Sequence, residues 1–149
     1  VFPAGTEALQ AAFYDNFERL LDPVWPLLWP RFPTDVLNPV SAEHFTRTRT
    51  GYFGKSLADV EPKGEERVET WKKVEAAFYT LYGWLSRSSG PFFMGETITF
   101  SDFVVAGMLD AIRITLGEES EEWQKVEAFN GGRWKEFLES LKQYASVDK

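Results

Sequence analysis

The chain has 149 residues, 44% of them hydrophobic and 26% charged, with a formal net charge of −7, which is the composition of one globular domain large enough to bury a core. So acidic a surface repels phosphate backbones and anionic lipid, and neither nucleic acid nor membrane is an expected partner. With no cysteine and one histidine, His44, disulfides, thiolate zinc sites, a cysteine nucleophile and histidine-based metal or catalytic clusters are excluded.

A first helix is predicted from about Thr6. Leu9, Phe13, Phe17, Leu20 and Val24 fall at helical spacing and define one apolar face. From Asp22 to Pro33, prolines at 23, 26, 30 and 33 forbid a regular helix, so the chain there must kink or unwind. Pro23 to Pro26 and Pro30 to Pro33 have the spacing of SH3 ligands, but the residues they enclose are apolar, which argues for packing. A second helix is predicted from Ser41 to about Phe53, with Ser41 as its cap and Glu43 in its first turn. His44 beside Glu43 has no ligand partners and is read as a solvated histidine in an exposed turn. Gly51-Tyr-Phe-Gly-Lys-Ser56 ends like a phosphate-binding loop, yet its first glycine is misplaced and no strand precedes it.

A third helix follows Gly64, with Val68, Trp71, Val74, Phe78, Leu81 and Leu85 as its stripe, and stops by Ser88-Ser-Gly-Pro91. The next helix opens at Thr99. Between Phe103 and Leu116 its only charges are Asp110 and Arg113, so it is expected at the buried centre of the domain, with Gly107 marking a close helix contact. A short helix from Glu121 to Phe129 is capped by Ser120. Glu118, Glu119, Glu121 and Glu122 form its solvated start. Asn130-Gly-Gly132 breaks the helix. A last amphipathic helix carries Trp134, Phe137, Leu138, Leu141 and Tyr144. Residues 1–149 thus read as an all-α domain, a helical bundle around a buried central helix. The longest apolar run, Phe103 to Leu109, is far short of a bilayer span.

Gly95-Glu-Thr-Ile-Thr-Phe-Ser-Asp-Phe103 is the most informative stretch. Thr99 and Asp102 are spaced as the reciprocal residues of a capping box, Ile98 and Phe103 as a hydrophobic staple, and Gly95 permits the turn before them. This combination, opening a nearly all-apolar helix, resembles the second signature motif of the glutathione transferase superfamily. Gly90-Pro-Phe-Phe-Met-Gly95 resembles the loop preceding that helix. Ser41-Ala-Glu-His-Phe45, Arg47-Thr-Arg49 and the stretch from Trp123 through Asn130-Gly-Gly-Arg-Trp134 resemble the fungal-specific class A transferases. The likeness covers essentially the whole chain.

The resemblance implies the C-terminal helical domain of such an enzyme. The N-terminal thioredoxin-like domain that binds glutathione and supplies the nucleophile, a serine in the fungal class, is not found within these residues. Val1-Phe-Pro-Ala-Gly-Thr6 reads as the end of an interdomain linker. On this reading the chain alone is inactive, and glutathione, the co-substrate, binds mainly outside it. The helical domain supplies the wall on which a hydrophobic aromatic compound sits and contributes to a homodimer in a cytoplasmic, detoxifying parent enzyme. Trp25, Trp29 and Phe32, directly after the first helix, are the expected lining, with Phe129 and Asn130 at the pocket edge. The competing reading of Asn130 is a helix stop, and that of the three rings is ordinary core. Asp15 or Glu18 of the first helix is a weaker candidate to reach a partner subunit's glutathione amine. No catalytic residue and no metal ligand is assigned. The alternative function is a non-catalytic transferase-like module that holds proteins together, for which an exposed apolar patch rather than a concave pocket is expected.

Overall fold

The computed structural model describes residues 2–145 and is helical almost throughout. Helix α1 (Glu7–Leu20) is followed by the proline-broken stretch, which folds as single turns: a 3-10 turn at Asp22–Val24, α2 (Trp25–Leu28), a second 3-10 turn at Trp29–Arg31, and α3 (Phe32–Asp35). Each of these turns carries a proline in its first two positions, where a missing N–H costs nothing. Then come α4 (Pro39–Phe53), the single turn α5 (Leu57–Val60), and the long helices α6 (Gly64–Leu85), α7 (Phe100–Leu116) and α8 (Glu121–Ala145). Among the described residues, no helix is long and apolar enough to cross a membrane.

One core holds these elements together. Phe17, Leu21, Val24, Leu27 and Leu28 from the first part of the chain meet Val74, Phe78 and Leu81 of α6, Val105, Leu109 and Ile112 of α7, and Trp134 and Phe137 of α8. α7 lies at the middle as expected, packed against α1, α2 and α8. One flank of it stays open, however: Phe103, Gly107 and Ile114 face solvent. Gly107 has nothing within reach of an added Cβ, so it marks an open flank and not a close helix contact.

Several sequence expectations differ in detail from the structure. Leu9 stands 68% exposed while its neighbour Gln10 is only 2% exposed. α1 is rotated so that the side-chain carbonyl of Gln10 accepts the N–H of Ser101 at 3.0 Å, an amide that the start of α7 would otherwise leave without a partner. α4 begins at Pro39, and its cap is Asn38, which accepts from the Ser41 N–H at 2.9 Å, so Ser41 is not the cap. His44 therefore lies within a helix, exposed, with Nδ1 3.3 Å from Nη2 of Arg47. The stripe of α6 loses its first member, since Val68 is 56% exposed.

The start of α7 is built as the motif implied. The capping box is present, and Asp102 is fully buried. Its carboxylate accepts the Thr99 N–H at 2.8 Å, the Thr99 hydroxyl at 3.2 Å and, across the loop, the Phe93 N–H at 3.0 Å. Gly95 has φ +77°, the turn foreseen for it. Ile98 packs on the core, whereas Phe103 stays at the surface with its ring edge-on to Tyr144. Gly90 carries a requirement that the sequence did not disclose: a Cβ there would lie 2.3 Å from the backbone carbonyl carbon of Gly95.

Candidate functional site

The expected lining residues fall into two groups. Trp25, Trp29 and Phe32 are half-buried and come together in a layer of rings between the proline-broken stretch and α4. Trp25 and Trp29 pack 5.4 Å apart, Trp29 meets Phe53 at 5.5 Å, and Phe32 meets Phe45 at 5.6 Å. Such ring pairs are worth about 1 kcal/mol each beyond their buried area. Short prolyl turns are what make the layer possible. They point Val24, Leu27 and Leu28 into the core while Trp25, Trp29 and Phe32 remain partly open.

Three further members of the layer, Phe45, Arg49 and Phe53, were not among the lining residues expected from the sequence. They lie four and four residues apart on one face of α4, a spacing readable beforehand. The guanidinium of Arg49 sits over two rings, 5.0 Å from the centroid of Phe45 and 5.5 Å from that of Trp29.

Phe129 and Asn130 belong elsewhere, and no ring contact or hydrogen bond joins them to the first group. The backbone leaves helical geometry from Phe129 through Gly132, with Asn130 at φ +55°. Asn130 Oδ1 accepts the indole N–H of Trp134 at 2.9 Å, so this amide fastens the kink. Phe129 packs with a tilted ring against Phe78 and lines a cleft of roughly 350 Å³ between α6 and α8, together with Arg67, Val68, Trp71 and Glu122. Above that cleft, Arg67 binds Glu122 at 2.7 Å and Glu61 at 3.3 Å, and Arg31 also reaches Glu61. The ring nitrogen of Trp71 is buried there without a hydrogen-bond partner.

A larger groove of roughly 660 Å³ runs between α7 and α8, bordered by Phe103, Gly107, Trp123, Leu138 and Tyr144 and by the pair Asp110 and Arg113. The acidic run at the start of α8 is partly engaged, Glu118 with Arg113 and Glu122 with Arg67. Glu18 acts on its neighbour: its charge raises the Tyr14 phenol above its ordinary value. Among the described residues, no group of His, Cys, Asp or Glu is arranged to hold a metal ion.

Residues 8–144 match the family described as glutathione S-transferase, C-terminal domain. A glutathione S-transferase of Ceriporiopsis subvermispora, solved in complex with glutathione, superposes on all of this chain with a TM-score of 0.90 and 32% identity, and the match covers 60% of that protein. A second one from the same organism, also with glutathione, gives 0.87 at 35% identity, covering 96% of this chain and 58% of its own. A glutathione transferase of Phanerochaete chrysosporium gives 0.86 at 29% identity, covering 99% and 58%. A glutathione S-transferase-like protein of Aspergillus flavus is 36% identical over 89 residues, which is 56% of this chain and 32% of that protein. The chain thus spans little more than half the length of these solved relatives.

Proposed function

This chain belongs to the glutathione S-transferase C-terminal domain family, and from that premise we propose that it forms the hydrophobic co-substrate site of a glutathione transferase of the fungal class A type. Glutathione would be held, and its thiol ionised, by a thioredoxin-like domain outside these residues, as the 58–60% coverage of the solved relatives suggests. The helical domain would then exclude water, hold the electrophile flat and bring its reactive carbon toward the thiolate. The intact enzyme is proposed to act as a homodimer in the cytoplasm, conjugating or sequestering aromatic compounds.

The observation that supports this reading best is the half-buried ring layer of Trp25, Trp29 and Phe32. Rings already held on one side by neighbours, and only partly covered on the other, offer a flat guest apolar area at small ordering cost. Phe129 would contribute to the separate α6–α8 cleft. Asn130 would act at one remove, by holding Trp134.

Calorimetric titration of the chain with a neutral bicyclic aromatic alcohol tests the reading. Binding is expected, and Trp25→Ala with Trp29→Ala should weaken it about tenfold, some 1.4 kcal/mol. The same chain mixed with glutathione and a reactive aryl halide should consume no thiol above the blank. Unchanged affinity in the double variant, with helicity intact, would remove the basis for the proposal.

A further inference from the structure

Arg49 is unlike the other partly buried arginines that carry ion pairs. Arg31, Arg67 and Arg113 each meet a carboxylate, and Arg133 donates to the carbonyl of Pro91. Among the described residues, the side chain of Arg49 makes no hydrogen bond and no ion pair, and its Nε is withdrawn from water without an acceptor. Its guanidinium lies over the ring faces of Phe45 and Trp29. Cation–π attraction returns about 0.5–2 kcal/mol, less than a guanidinium loses when part of its hydration is stripped.

Among the described residues no carboxylate lies within ion-pair distance of it; Glu61 is committed to Arg31 and Arg67. In a chain of net charge −7, the ring layer therefore carries an isolated positive point framed by aromatic faces.

We infer that Arg49 makes this surface selective for aromatic ligands that bear an anionic group, a carboxylate in the first instance. The ring of the guest stacks on Trp29 and its neighbours, and the carboxylate takes the terminal N–H groups of the guanidinium, since Nε is withdrawn from reach. A planar guanidinium suits that geometry, because two parallel N–H groups match the two carboxylate oxygens. The inference rests on the co-substrate reading above and deepens it by naming the charge of the guest.

The test is calorimetry on the whole chain with 2-naphthoate and 2-naphthamide, which share a ring and differ in charge. Naphthoate is expected to bind about tenfold more tightly at low salt, with the advantage shrinking as salt is raised. Arg49→Gln should bring the two affinities together by weakening naphthoate alone, and Arg49→Lys should retain part of the preference. Should Arg49→Gln fail to fold by circular dichroism, the wild-type preference and the Arg49→Lys variant still decide the matter. Equal affinities in the wild type, or a preference that survives Arg49→Gln, overturn the role of Arg49 and leave the co-substrate reading standing. Absence of binding by either compound overturns both.

Discussion

Asp102 has no exposed surface, yet three donors from two segments converge on its carboxylate. Burial pushes its pKa above the ordinary 3.8, and the bonds from Phe93 and Thr99 pull it down by less. A folded value above the unfolded one means that the residue's contribution to stability is complete below about 4 and declines as pH rises through the folded value. Asp102→Asn removes that titration and sets an amide donor against the Thr99 N–H. The variant is expected to lose about 1–3 kcal/mol at neutral pH. The gap to wild type should narrow as pH climbs out of the acid range, as urea melts at several pH values will report. A gap that widens instead contradicts this account. Thr99, Asp102 and Gly95 were legible in the sequence because a cap and a tight turn depend on neighbours in the chain. Gln10 and Gly90 were not. The first is buried by a bond to Ser101 and the second is hemmed in by Gly95, and only Gly95 lies near in sequence to the residue it constrains.

Helix existence followed closely from periodicity and proline, whereas helix rotation did not. The apolar face read for α1 placed Leu9 inside, but the start of α7 needed an acceptor, and Gln10 took the inner position. Ser41 looked like a cap until Pro39, a good first residue of a helix, moved the boundary back to Asn38. The interruption of α8 was correctly read from Asn130-Gly131-Gly132, whose backbones all have positive φ. Asn130 carries a double load there, a left-handed backbone and the bond to Trp134. Asn130→Gly keeps the backbone and loses the bond, and should cost about 1 kcal/mol. Asn130→Ala forfeits both and should cost about 2 kcal/mol or more. Thermal or urea melts that rank the two equally, or in reverse, would show that the backbone there is not under constraint.

At the scale of the molecule, the core is shared by α1, the prolyl turns, α6, α7 and α8, while no residue of α4 is buried. α4 is held chiefly by rings meeting rings and by Arg49 over Phe45 and Trp29. Its amides are expected to exchange with deuterium through local openings, at free energies about 2 kcal/mol or more below those of α6 and α7. Equal protection across all three helices would contradict that ordering. Half of the candidate surface, Trp25, Trp29 and Phe32, could be named from the sequence because it is contiguous. The other half, Phe45, Arg49 and Phe53, needed knowledge of how the broken stretch folds back on α4. That stretch has a further consequence, for how such a protein diversifies. Its inward residues Leu21, Val24, Leu27 and Leu28 alternate with outward rings at Trp25, Trp29 and Phe32, so mutations can accumulate on one register while selection guards the other. On the proposed co-substrate reading, new ligand preferences can therefore arise by change at a few outward positions, with the buried framework untouched.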